Sequence, residues 1–426
     1  MAIETKKDLR NQVMYSVFVR NHSEAGTLEA VRADLPRIRG LGVDVIWLMP
    51  IHPIGVVGRK GTVGSPYAIR DYREIDPAYG TRDDLRRLAD DARALGMRLI
   101  IDVVYNHTSP DSWLAQHHPE WFWHRPDGSL GNRFGDWSDV VDLDYAHPGL
   151  WDYQIETLKM WAEIVDGFRC DVASLVPLAF WQRARREVAQ VRPDALWLAE
   201  SVEPGFVAAA RARGLNALSD SEIFQAFDVA YDYDAFPWLK AYLGGRGPLS
   251  GWLERLNAQE YTYPDNYVKL RFLENHDNSR AHFVLPDPKA LRSWTAFMYF
   301  QKCMTLLYAG QERAARHLPW LFEKDPVDWS AGEDLSLLLR ALYRMKRDPL
   351  FAEGSFRAEV RANAIYAEYC WNGRCAAGVF PVDGKPGLVP VDVPDGAYPD
   401  LITGETVEMH HGRASLDGEA AVFEVK

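Results

Sequence analysis

The sequence predicts an α/β protein: a (β/α)8 TIM barrel with a short excursion subdomain after strand 3, closed by a C-terminal antiparallel β domain. Three observations lead there. Apolar, β-branched runs alternate with amphipathic helical stretches from about residue 13 to about residue 350, as repeated βα units on a parallel sheet require. One connection, residues 106–147, is far longer than an ordinary βα loop and is rich in aromatics, Pro and Gly. After about residue 350 the texture changes to short strands punctuated by Gly, Pro and Asp, as in Ala364–Cys370 and Ala420–Lys426.

In chain order the candidate strands are Val13–Val19, Val43–Met49, Arg98–Val104, Gly167–Asp171, Leu196–Glu200, Phe227–Tyr231, Lys269–Glu274 and Met304–Tyr308. Between them, 3.6-residue periodicity predicts helices over Leu28–Arg39, Arg82–Leu95, Leu150–Ile164, Phe180–Gln190 and Ala290–Phe300. Eight such units favour a closed barrel over an open doubly wound sheet, and no Gly-x-Gly-x-x-Gly opens a helix to suggest a nucleotide site. The expected division is a barrel over residues 1–350, including an excursion subdomain over 106–147, and a β-sandwich over 351–426. The excursion holds Trp113, Trp121, Phe122, Trp123 and Trp137. No repeat of solenoid or propeller period is evident.

The net charge of −12 and the lack of any Lys/Arg-rich run exclude a nucleic-acid or anionic-membrane partner and favour a neutral substrate. Fifteen Trp and 19 Tyr supply flat faces that suit the apolar faces of sugar rings as well as a core. The four cysteines show no metal-ligand spacing. Cys370 and Cys375 could face each other across a hairpin turn, but free thiols are expected, since the N-terminal residues lack an apolar leader and the chain reads as cytoplasmic. No run approaches membrane-spanning length.

Chemistry gathers just past the strand ends. Asp171 closes Gly167-Phe-Arg-Cys-Asp171 and Glu200 closes Leu196-Trp-Leu-Ala-Glu200, one strand-helix-strand step apart. If those strands are neighbours, both carboxylates reach one rim, and two facing carboxylates are the minimum equipment for cleaving a glycosidic bond. Period two separates the remaining roles: Arg169 and Asp171 point one way, Phe168 and Cys170 the other. Asp102-Val-Val-Tyr-Asn-His107 brings Asp102, Asn106 and His107 to the same rim, and Glu274-Asn-His-Asp277 brings His276 and Asp277. Each of these alone is an ordinary loop or ion-pair residue; together, from separate strands, they describe a site.

Those four segments, in that order, make the chain resemble the α-amylase superfamily, glycoside hydrolase family 13, from about residue 13 to the end. Ser65-Pro-Tyr-Ala-Ile-Arg-Asp-Tyr72, Asp76-Pro-Ala-Tyr-Gly-Thr81 and Tyr308-Ala-Gly-Gln-Glu312 extend the match. The resemblance implies that Asp171 is the nucleophile, Glu200 the general acid/base and Asp277 the transition-state stabiliser. It implies that Tyr67, Asp102, His107, Arg169 and His276 serve substrate binding, with Tyr67 stacking under the sugar. The implied activity is retaining hydrolysis of α-1,4 bonds in maltooligosaccharides, with carboxyl groups roughly 5–5.5 Å apart. Arg169 is expected to lower the pKa of Asp171, and partial burial to raise that of Glu200.

Two positions depart from polymer-degrading relatives. The Lys-His pair that often follows the nucleophile is Ser174-Leu175 here, and Glu200 is followed by Ser201-Val-Glu203 rather than an aromatic. Both lie on the leaving-group side and favour short substrates or an unusual acceptor, so the rival activity is transglycosylation; a carbohydrate-binding homologue without activity is the remoter one. Glu203 is expected to be a rim charge. No cofactor is required for the chemistry, and no metal ligand is assigned; a structural calcium held by Asn106 and Asp142 is the one ion the resemblance suggests, although six or more oxygens are needed.

Overall fold

The computed structural model describes residues 4–134 and 137–425. Eight parallel strands close into a barrel: β1 Val13–Val17, β2 Val45–Leu48, β3 Arg98–Val103, β4 Gly167–Cys170, β5 Leu196–Ala199, β6 Val229–Tyr231, β7 Lys269–Arg271 and β8 Met304–Tyr308. Each pairs with its neighbour in chain order, and β8 closes on β1 through Val13↔Thr305 to Ser16↔Tyr308. Because both faces are covered, the strands are buried throughout apart from the first residue of β3, and read as continuous apolar runs rather than alternating ones.

A principal helix follows each strand: α1 Leu28–Gly40, α2 Arg82–Ala94, α3 Pro148–Ala162, α4 Leu178–Val188, α5 Pro204–Ala212, α6 Leu249–Thr262, α7 Pro288–Phe300 and α8 Ser336–Lys346. Their starts are chemically marked. Thr81 and Asp84 form a reciprocal capping box on α2, and Asp287 caps α7 with Pro288 in its first turn. Several strands end earlier than their apolar runs. The first stops at Val17 because Val19–His22 already turns as a short helix, and β7 stops at Arg271. Among the described residues no helix is long and apolar enough to cross a membrane.

The long connection after β3 builds a small layer over the barrel mouth. A two-stranded ribbon pairs His107–Thr108 with Val141–Asp142, and Tyr145 ties its return to the barrel by donating to the Tyr105 carbonyl at 2.7 Å.

After α8 the chain forms two four-stranded antiparallel sheets. In the strand Ala364–Trp371 both faces are buried: Ile365, Ala367 and Tyr369 join the barrel's core, while Ala364 and Tyr366 face the second sheet. The expectation of free thiols fails at this domain. Cys370 and Cys375 are directly opposite in the hairpin register, with Cα atoms 4.2 Å apart, and are joined as a disulfide. Such closely spaced antiparallel pairs bring side chains together, which the five-residue spacing alone left open. Cys170 and Cys303 are buried free thiols.

Candidate active site

Asp171 and Glu200 stand one residue beyond β4 and β5, each held by its backbone: Asp171 N–H donates to Val103 O at 2.9 Å, and Glu200 N–H to Cys170 O at 3.0 Å. The parallel register Asp102↔Arg169↔Leu198 puts Asp102 and Arg169 side by side beneath them. Arg169 is wholly buried, and its guanidinium serves three carboxylates. Nη1 donates to Asp102 Oδ1 at 2.9 Å and to Asp171 Oδ1 at 2.8 Å, and Nη2 lies 3.0 Å from Glu200 Oε2. Trp47, Tyr67 and Tyr231 surround it, their ring centroids 5.0–5.7 Å from the guanidinium carbon.

One cation cannot keep three buried acids ionised. Burial raises Asp171 to about 7, against the attraction of Arg169 and with the added push of Asp102. Arg169 pulls the Asp171 pKa down as expected, but desolvation in this closed barrel end exceeds that pull and the net shift is upward. Burial raises Asp102 to about 7 in the same way. Glu200 is raised furthest, to about 8, by burial first and then by the charges of Asp171 and Asp277. Burial thus pushes all three carboxyls toward their protonated forms, with Arg169 opposing it at each.

Val172, immediately after Asp171, takes a left-handed backbone (φ 35°), which a β-branched residue rarely adopts. The turn aims its N–H at Glu200 Oε2, 2.8 Å away. A strained residue between the two carboxylates is thus stitched to the second of them, at a cost of roughly 1–3 kcal/mol.

His107 lies 3.8 Å from Asp171 Oδ2, and His276 Nε2 lies 2.8 Å from Tyr67 Oη and 3.1 Å from Asp277 Oδ2. Burial lowers both imidazoles to about 4, so near neutral pH they are uncharged hydrogen-bonding groups. Tyr67 stacks on His276 and donates to Asp102 Oδ2.

These groups share a cavity of about 340 Å³ lined by Tyr67, His107, Asp171, Glu200, His276 and Asp277, together with Lys60, Trp137, Asp139 and Phe322. Asp102 and Arg169 do not line it. Both are completely buried beneath it, so they hold the carboxylates rather than offer a surface to ligand. Glu203 is exposed at the start of α5, as expected of a rim charge. Val172, Leu175, Val202 and Phe206 form an apolar cluster with Phe134 and Trp137, in which Leu175 is core.

Asn106 and Asp142 are both buried, and Asp142 Oδ1 has no hydrogen-bond partner among the described residues. Asp142 Oδ2 accepts the Arg133 backbone N–H at 2.7 Å, and the Arg133 guanidinium lies 3.6 Å from it and 4.0 Å from Asp144 Oδ1. An arginine already balances these carboxylates, and the Asn106 amide nitrogen is 3.2 Å from His107 Nδ1. Among the described residues no group of three or more His, Cys, Asp or Glu is placed to hold a metal ion.

The family described as Alpha amylase, catalytic domain, matches residues 12–352, and Bacterial Alpha amylase C-terminal domain matches residues 355–423. The chain belongs to the α-amylase family. It is 45% identical to an alpha-amylase from Lactobacillus plantarum whose crystal structure superposes with a TM-score of 0.96, covering 99% of this chain and 100% of that one. It is 31% identical to AmyB, a noncanonic maltogenic alpha-amylase from Thermotoga neapolitana, with a TM-score of 0.86 and coverage of 98% and 100%. Among curated proteins it is 25% identical over 355 residues to Alpha-amylase 2 of Dictyoglomus thermophilum, covering 78% of this chain but 59% of that protein. The chain thus spans little more than half the length of that curated relative. Within this α-amylase family scaffold, sequence reasoning missed the cavity residues Lys60, Asp139, Val172, Leu321 and Phe322. Apart from Val172, which directly follows Asp171, none sits just past a barrel strand.

Proposed function

We propose that the protein is a retaining α-glycoside hydrolase that cleaves α-1,4 bonds in maltooligosaccharides by double displacement. The observation that carries this reading is the shared guanidinium: Asp171 and Glu200, from neighbouring strands, are both held on Arg169 at the rim of one cavity. Asp171, ionised, attacks the anomeric carbon as Glu200 gives its proton to the departing glycosidic oxygen. A glycosyl ester on Asp171 results. Glu200, now a carboxylate, takes a proton from water, which attacks the same carbon and releases the sugar with its original configuration. Asp277, half-exposed across the cavity beside His276, meets the ring hydroxyls as positive charge develops on the ring.

Glu200→Gln with α-maltosyl fluoride tests the assignment, because fluoride leaves without a proton. The variant is expected to lose at least about 100-fold in kcat on maltoheptaose yet to accumulate a glycosylated peptide containing Asp171, seen by mass spectrometry. Label on another residue, or full activity, would refute the roles. The cytoplasmic location expected from the sequence is tested by the Cys370–Cys375 bond, since a reducing compartment keeps thiols open. Four thiols counted after denaturation with exchange blocked, in protein taken directly from its cell, place it in the cytoplasm; two place it in an oxidising compartment.

A further inference from the structure

Glu200 and the cavity's far wall stand on opposite sides of the barrel. In the closed order of strands, β5 is diametrically across from β1, and the loops after β2 and β8 flank β1. Glu200 must face the glycosidic oxygen that it protonates, so the leaving chain departs on the β5 side. The non-reducing part of the sugar chain then points toward the β2 and β8 loops.

Those loops are zipped together. Val63 and Gly64 N–H groups both donate to Phe322 O at 3.1 Å, and Thr62 N–H donates to Glu323 Oε1 at 2.9 Å. Arg20, buried, joins the two by donating to Gly64 O at 3.1 Å and Leu321 O at 2.7 Å. Gly61 lies so close that a Cβ there would sit 2.7 Å from the Phe322 Cβ. From this seam Lys60 reaches over the cavity to Asp139 of the excursion layer, Nζ to Oδ1 at 2.9 Å. Lys60, Asp139, Leu321 and Phe322 all line the cavity. The wall therefore combines an apolar ring face with a charged donor and a charged acceptor.

We propose that this wall reads the non-reducing end of the glucan, making the enzyme exo-acting and limiting its product to one or two glucose units. The proposal rests on the hydrolase reading above. An internal glucose carries the next sugar on its O4, which would have to pass through the seam between residues 60–64 and 321–323. A terminal glucose offers free hydroxyls, which the Lys60 ammonium and Asp139 carboxylate are equipped to bind. The cavity volume, about 340 Å³, lies at the small end of the roughly 300–1,000 Å³ of ligand clefts.

The test compares two maltoheptaoses, both fluorescently labelled at the reducing end, one of them also blocked at the non-reducing end by a 4,6-O-ethylidene group. Labelled products are separated by chromatography over time. The unblocked substrate should shorten by one or two units per event, and the blocked one should turn over at least about 100-fold more slowly, since a site built for hydroxyls rejects an analogue that lacks them. Lys60→Ala combined with Phe322→Ala should narrow that ratio at least about tenfold by opening the wall. Comparable cleavage of both substrates at internal bonds would overturn exo-action while leaving the hydrolase reading standing. No cleavage of either would overturn the hydrolase reading itself and this proposal with it.

Discussion

Arg169 decides how Asp171 and Glu200 share their protons. With three acids on one guanidinium, the productive form needs Asp171 ionised and Glu200 protonated. Asp171 gains its proton as pH falls through about 7, and Glu200 loses its proton as pH rises through about 8. The profile of kcat/KM for maltoheptaose is therefore expected to be a narrow bell peaking between those values, with both limbs belonging to the coupled cluster rather than to single residues. A flat profile from pH 5 to pH 7 would show that Asp171 ionises in the ordinary carboxylate range. The identities of Asp171, Glu200, Asp277, His107 and His276 were legible in the sequence because each lies within six residues past a barrel strand, in the short segments that carry the family resemblance. Their protonation was not legible. It depends on the desolvation of the barrel end, which no local spacing encodes and which outweighs the lowering by Arg169 at Asp171.

Two strands carry the chemistry, and one glycine sets their separation. A Cβ on Gly167 would sit 2.2 Å from Leu196 O, at the entry of the β4–β5 pair whose far ends hold Asp171 and Glu200. Gly167→Ala is expected to force the strands apart, destabilising the protein by about 1–3 kcal/mol in urea unfolding and lowering kcat at least about tenfold, since small misplacements of reacting groups are costly. Unchanged kcat would mean that the carboxylates are positioned independently of this contact. The same elements show where sequence reasoning fell short. Their continuous apolar runs predicted the strands, but those runs extend past the hydrogen-bonded ladders, so Asp171 and Glu200 lie just outside the strands that they were expected to close. In the C-terminal domain the Ala364–Trp371 strand was foreseen, while its partner register, and with it the Cys370–Cys375 bond, was not.

At the scale of the whole molecule, ring closure creates what the linear sequence conceals. The eight βα units were visible as alternating periodicities, and their count implied closure. Closure sets β8 beside β1, and so joins the loop at residues 60–64 to the loop at 321–323, although some 260 positions separate them in the chain. The wall opposite Glu200 is a product of that joining and has no local signature. The C-terminal domain completes the barrel's outer face in a similar way: Asn257 of α6 exchanges two hydrogen bonds with the backbone of Ala358, and Phe297 and Phe300 of α7 pack on Phe380. The central claim is that these parts hold Asp171 and Glu200 for double displacement. It is tested most directly by a proton NMR time course with maltoheptaose that follows the anomeric configuration of the newly released reducing end. The account predicts that the α-anomer appears first and mutarotates later; initial release of the β-anomer would contradict it.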